Sequence, residues 1–213
     1  SVPIGNRIDI SFAEEDLTYY AKWWPLPKRD GKCYKIGSAE EMLGFSAIVN
    51  GGLGIKKDST ACAILTADIV LDSSKFLQWT APENFAGSLD GQGHSISFGW
   101  TKYYYDEKKP FIKSISGGTK DSPVTIKNVE WKNVSAEGTF GTSLIHYIWD
   151  SSYVLISANH NDINFVKNAN FIGTVGEKAH RTISNSYNTG SFSGDDGYFI
   201  DYVLGNISFL NFY

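Results

Sequence analysis

The sequence predicts an all-β fold, a right-handed parallel β-helix (a β-solenoid) preceded by an N-terminal cap that carries one α-helix. Three observations predict it. The first is the stretch 85–98, in which Asp90, Gly91, Gln92 and Gly93 form a turn and His94, Ile96 and Phe98 then alternate with Ser95 and Ser97. That is the period-two pattern of a half-buried strand. The second is recurrence: segments 124–138, 163–176 and 183–194 each start with a β-branched strand, carry Asn near the middle and end at Gly, and a fourth opens at Ile207. Leading isoleucines fall at positions 96, 126, 163, 183 and 207, so the interval varies and corner loops differ in length. Units of roughly 20–30 residues that cannot bury an apolar face alone stack on their neighbours as a solenoid. The third is composition: aromatic residues are 15% and charged residues 20% of the chain, which suits strands joined by polar turns. The competing architecture is a β-sandwich, which also shows many short strands.

Taken in order, residues 1–32 form an N-terminal extension. Ile8, Ile10 and Phe12 alternate with polar residues as one short strand, a possible donor strand for a neighbour. Tyr19, Tyr20, Trp23 and Trp24 follow, either as a lid over the end of a core or as a sugar-stacking face. Residues 33–84 form the cap region. Ser38 and Glu41 have the spacing of a capping box, apolar residues at 42, 43, 45, 48 and 49 make a helical face, and Asn50 with Gly51 stops it. The helix runs over about 39–49. Residues 61–72 read as one strand. Residues 85–213 hold the solenoid rungs, and Asn residues at equivalent corners are expected to stack into ladders.

The chain has 19 basic and 23 acidic residues, without a basic run, which argues against nucleic acid as a partner. No apolar run approaches the ~18–20 residues of a membrane helix. The chain starts at Ser1 rather than Met, as either removal of a signal peptide or trimming of a longer chain would leave it. Cys33 and Cys62 are the two cysteines. They are either two buried thiols or a disulfide, and the secreted character of the composition favours the disulfide.

The residues around the cap and the first turn resemble a known family. The segments Cys33-Tyr34-Lys35-Ile36, Ser38-Ala39-Glu40-Glu41-Met42, Phe45-Ser46-Ala47-Ile48-Val49-Asn50-Gly51 and Ala61-Cys62-Ala63-Ile64-Leu65-Thr66-Ala67-Asp68-Ile69 are similar to the N-terminal part of secreted bacterial proteins with GLUG-type repeats. So are Trp79 and Pro82 followed by Phe85-Ala86-Gly87-Ser88-Leu89-Asp90-Gly91-Gln92-Gly93-His94-Ser95-Ile96. The resemblance covers about residues 33–98 and is looser beyond. It implies a secreted or surface-attached β-helical protein and no particular reaction. Gly87, Asp90, Gly91, Gly93 and His94 enter as its structural motif.

No catalytic, cofactor or metal site is expected. The histidines at 94, 146, 160 and 180 lack metal-ligand spacing. His94 reads as a packed turn residue and His160 as a solvated corner. Asp195 and Asp196 between glycines are the sharpest acidic pair, with a turn as the ordinary explanation and polysaccharide lysis or hydrolysis as the other. Trp23, Trp24, Trp100, Tyr103, Tyr104 and Tyr105 are candidate glycan or subunit contacts. Ile8, Ile10, Phe12, Phe209, Phe212 and Tyr213 are candidate subunit contacts, because a β-prone aromatic rung without a cap either continues in a longer solenoid or docks on another copy. The function expected is an extracellular structural or adhesive solenoid that self-assembles end to end into a filament or surface layer. A carbohydrate-binding module is the alternative, with polysaccharide as the possible partner.

Overall fold

The computed structural model describes residues 2–3, 23–51, 54–99, 109–134, 143–165, 170–192, 199–204, 207–211 and 213. The chain opens with two short antiparallel strands, β1 (Val2–Pro3) against β2 (Trp23–Trp24). A hairpin follows, β3 (Lys28–Asp30) antiparallel to β4 (Cys33–Ile36), turning at Gly31 with φ of 62°. Then comes α1 (Ala39–Asn50). The Glu41 N–H donates to the Ser38 hydroxyl at 3.2 Å, and the Glu41 carboxylate reaches back to the N–H of Gly37 at 2.7 Å. This is a capping box displaced by one residue on its return arm. At the other end Gly51, with φ of 73°, donates its N–H to the Ala47 carbonyl and stops the helix. Met42, Leu43, Phe45, Ile48 and Val49 are buried. Edge-on contacts of Phe45 with Tyr34 and with Phe85 seat α1 over the N-terminal end of the core.

From here the chain winds. β5 (Cys62–Leu65) and β6 (Ile69–Leu71) replace the single strand expected over 61–72. Thr66, Ala67 and Asp68 turn a corner between them, so one apolar run serves two different sheets. A second, five-residue helix, α2 (Ser73–Leu77), is capped by Asp72, whose carboxylate accepts from the Lys75 N–H at 2.9 Å. Successive turns then supply β7 (Ser88–Asp90), β8 (Ser95–Phe98) and β9 (Ile112–Ile115), followed by β10 (Val124–Lys127), β11 (Glu130–Asn133) and β12 (Ile145–Ile148). The next turn supplies β13 (Tyr153–Ser157), β14 (His160–Asp162) and β15 (Ile172–Val175). The last elements are β16 (His180–Ser184), β17 (Tyr187–Asn188), β18 (Ile200–Val203) and β19 (Ile207–Leu210).

From β4 onward each strand pairs in parallel with the strand one turn away, which makes three sheets and a β-solenoid. A sandwich of antiparallel sheets is excluded by that pairing. The first sheet runs β19-β16-β13-β10-β7-β5-β4-β3, the second β17-β14-β11-β8-β6, and the third β18-β15-β12-β9. Register stacks like on like: Leu89, Ile126, Ile156, Ile183 and Phe209 form one column of the first sheet. Ile115, Ile148, Val175 and Val203 form one of the third. The repeat phase read from leading isoleucines is corrected here. Ile126 and Ile183 are equivalent, but Ile96 belongs to the second sheet, Ile163 to a buried corner, and Ile207 pairs with Arg181 while Phe209 takes the column. With three strands per turn, β-branched residues recur on every face, so isoleucine alone does not mark the turn.

The corners between first and second sheets are sharp. Asn128, Ala158, Asn185 and Asn211 each follow a first-sheet strand with φ between 49° and 57°. Asn tolerates that left-handed conformation better than most residues. The Asn211 amide donates to the Asn185 side-chain oxygen at 3.0 Å, a short piece of the expected ladder. Buried Asn159 ties three segments, accepting from the Val129 N–H at 3.2 Å and donating to the carbonyls of Ile126 and Ser157 at 3.0 Å each. Inside, aromatic rings run along the axis. Trp79 stacks on Phe111, Trp131 packs between Phe98, Phe111 and Phe171, and Phe171 stacks on Phe199.

Candidate functional site

The stretch 85–98 organises the first full turn for steric reasons. A Cβ on Gly87 would overlap the carbonyl of Ala61, and one on Gly91 the carbonyl of Asn128, so adjacent turns stack closely only because both positions are glycine. Gly93 has φ of 86°. The Asp90 carboxylate accepts from the Gln92 N–H at 3.0 Å and the Asn128 amide at 2.9 Å, and lies 3.2 Å from the Lys127 ammonium. Burial pushes the Asp90 carboxyl up, but the Asn128 amide, the Gln92 N–H and Lys127 together hold it below the ordinary carboxylate value. His94 closes the turn, its N–H donating to the Gly91 carbonyl at 2.8 Å and its ring lying 3.4 Å from Asp68. The motif is a fastening between turns.

A pH dependence follows. The folded-state pKa of Asp90 is depressed, so its contribution is complete above the unfolded value of about 3.9 and lost as pH falls through the folded value. Asp90→Asn is expected to cost about 1–2 kcal/mol at neutral pH and to shrink in effect below pH ~4. Urea unfolding of both proteins at several pH values measures this. A difference that stays constant into acid would remove the charge argument.

Cys33 and Cys62 are disulfide-bonded, with a Cα–Cα distance of 4.7 Å. Trp23 lies in β2, paired with Pro3. Trp24 corrects the expectation of a glycan contact, because it is 3% exposed, with the Lys75 ammonium 5.3 Å from its ring centre. It belongs to the lid over the core, where an indole buries more apolar area than it can offer outside. Ile8, Ile10, Phe12, Trp100, Tyr103, Tyr104, Tyr105, Phe212, Asp195 and Asp196 lie outside the described residues. Among the described residues no three His, Cys, Asp or Glu side chains converge as a metal site, and no helix is long and apolar enough to cross a membrane.

Two surface groupings escaped the sequence. On the second sheet, His160 is not a free solvated side chain. Its Nδ1 lies 3.3 Å from Glu130, its Nε2 2.7 Å from the Thr189 hydroxyl, and its ring stacks on Tyr187 at 4.2 Å. Thr189 also donates to Asp162 at 3.0 Å, and Lys132 pairs with Glu130 at 2.6 Å. The hydroxyl is thus tied to a carboxylate, and the set works as a polar clamp across three turns. On the third sheet, Tyr147 and Trp149 bring ring centres within 4.5 Å at 57°, facing out. Neither grouping has a local sequence signature, since its members are some 30 residues apart or sit in a strand that breaks strict alternation.

The remaining feature is the C-terminal edge. Phe209 occupies the column that is buried at Ile126, Ile156 and Ile183, yet it is 49% exposed. Val203 likewise continues the buried column of Ile115, Ile148 and Val175 and is exposed, as are Leu204 and Leu210. The N–H of Tyr213 donates to the Ser186 carbonyl at 3.2 Å and its own carbonyl accepts from Asn188 at 2.9 Å, which starts one more layer on the second sheet. No described strand pairs with the outer edge of β18 or β19. At the opposite end the first sheet finishes in β3, whose Lys28, Arg29 and Asp30 are all exposed and charged. The chain matches no family model, no curated protein and no solved structure.

Proposed function

We propose that this chain is an extracellular structural or adhesive solenoid that self-associates through its C-terminal edge. The observation that supports the reading is the apolar column that runs buried through the first sheet and emerges exposed at Phe209. A strand that presents exposed apolar side chains at the end of a sheet gains by burying them against another strand. The disulfide supports an oxidising compartment. The resemblance of residues 33–98 to GLUG-repeat surface proteins points to the same place.

The second copy presents the same C-terminal edge. Short, charged edge strands such as β3 discourage pairing, and α1 covers the core at that end. Two C-terminal edges related by a two-fold axis pair antiparallel, β19 on β19, and close as a dimer. Sedimentation velocity across a hundredfold range of concentration tests this. A monomer–dimer equilibrium, abolished in Phe209→Asp and in Leu210→Lys, is the expected result. A monomer at every concentration overturns self-association, and filaments overturn the closed pairing in favour of head-to-tail growth.

A further inference from the structure

The outer face of the third sheet carries a groove of about 850 Å³ that meets the C-terminal edge only at Asp201. It follows one row of the sheet. The flanking register pairs of β9, β12, β15 and β18 place Lys113, His146, Gly173 and Asp201 side by side, one per turn. Lys113, His146 and Asp201 are exposed, and Gly173 adds no side chain between the last two. A Cβ on Gly173 would lie 2.5 Å from the His146 carbonyl, so the position requires glycine and the row has a notch there. Beyond Lys113 the groove reaches the loops that follow α1 and α2, and hydrogen bonds fix that rim. Asn50 accepts from the Glu83 N–H at 2.9 Å and donates to the Thr80 and Ala81 carbonyls at 3.2 and 3.3 Å. The Asp58 N–H donates to the Ile48 carbonyl at 2.9 Å, which holds the backbone beside Lys57 against α1.

Charge is unevenly placed along the groove. Three ammonium groups, Lys57, Lys109 and Lys113, line the end toward α1 with one carboxylate, Glu83. Glu83 lies 3.1 Å from Lys113. The Lys109 ammonium donates to the Leu77 carbonyl at 2.8 Å, a neutral acceptor that orients the group without cancelling its charge. Lys57 is exposed and joins no ion pair among the described residues. The other carboxylate, Asp201, is three strands from Lys113, about 14 Å along the axis. A chain of net charge −4 therefore has a locally cationic end to this groove. An anion seated there is attracted by several ammonium groups within a Debye length. At the far end Asp201 repels a second acid group, while His146, Thr174 and Asp201 offer a ring nitrogen, a hydroxyl and a carboxylate to uncharged polar groups. We propose that the groove binds a polar ligand through one terminal oxyanion, a carboxylate, sulfate or phosphate. The oxyanion sits among Lys57, Lys109 and Lys113, and the uncharged hydrogen-bonding part of the ligand lies over Gly173.

Amide NMR titrations of the full chain, at concentrations where it is monomeric, test this with probes that share one scaffold. Glucuronate, glucose 6-sulfate and glucose 6-phosphate carry the three oxyanions, glucose carries none and glucosamine carries a cation. Saturable shifts at Lys57, Gly173 and Thr174 are expected with at least one of the acids and with neither control, and the tightest acid identifies the oxyanion. Added salt is expected to weaken the binding. Two exposed positions give effects of opposite sign. Lys57→Ala is expected to weaken the acid about fivefold, and Glu83→Gln, which removes the partner of Lys113, to tighten it about twofold, both with unchanged melting temperatures. No shift with any acid at millimolar concentration overturns the proposal. So does a control that binds as well as the acids, a Lys57→Ala variant that binds like the parent, or a Glu83→Gln variant that binds more weakly.

Discussion

Trp131→Ala is expected to lower the unfolding free energy by about 3–5 kcal/mol, the largest effect of any single truncation in this chain. Trp131 is 1% exposed and sits in β11, midway along the axis. Its ring is stacked 6.3 Å from Phe98 on the preceding turn and meets Phe111 edge-on at 5.2 Å and Phe171 at 6.4 Å. Those partners come from the turns on both sides, so removing the indole opens a void that strand shifts cannot fill without breaking register on a neighbouring sheet. Stability in a solenoid is close to a sum of turn and nearest-neighbour terms. Loss of the residue that couples turns on both sides therefore weakens two interfaces at once. The indole N–H has no hydrogen-bond partner among the described residues. Trp131→Phe removes that buried unpaired donor along with part of the ring, and the two effects oppose each other. It is expected to cost under about 1.5 kcal/mol. Urea midpoints of the two variants decide the matter. An alanine variant within 1 kcal/mol of the parent would mean that the aromatic row is not a continuous core.

The solenoid was legible in the chain because stacking depends on local chemistry repeated. Gly87 and Gly91 mark close approach of turns, Asn128 and Asn185 mark sharp corners, and short β-branched runs mark strands. The helix over 39–50 was legible for the same reason, from Ser38, Glu41 and Gly51. What the sequence concealed is phase. The segment 153–157 is a full rung strand, but it ends in Ser157 and Ala158 rather than Asn and Gly, so it carries no punctuation. Surface sites were concealed by the same geometry. Glu130, His160 and Thr189 come together through parallel register, a distance of one turn each, and turns here differ in length. Trp24 misled because exposure of an aromatic residue depends on what packs over it, here α1 and Lys75 of α2 at the end of the core.

Reduction of the Cys33–Cys62 bond is expected to cost about 3–4 kcal/mol, the second-largest effect. The bond joins residues 29 apart, and closing a loop of that size removes about that much chain entropy from the unfolded ensemble. In the folded chain Cys33 and Cys62 are direct register partners of β4 and β5. Their Cα atoms are 4.7 Å apart, the ordinary distance between neighbouring strands, so the bond asks for no displacement of the ladder. Its position amplifies the effect. β3 and β4 form the N-terminal end of the first sheet, where the antiparallel hairpin gives β4 its only neighbour besides β5. Solenoid ends open first, because a terminal turn has one interface where an inner turn has two. The cross-link holds that end shut and keeps α1 seated on the core. Hydrogen exchange with and without reductant separates this from a uniform loss of stability. Protection is expected to fall in β4, β5 and α1 while β13 and β16 keep theirs. Equal loss along the whole chain would show that the turns unfold as one unit, and unchanged protection at β4 and β5 would show that pairing in the ladder alone holds the end.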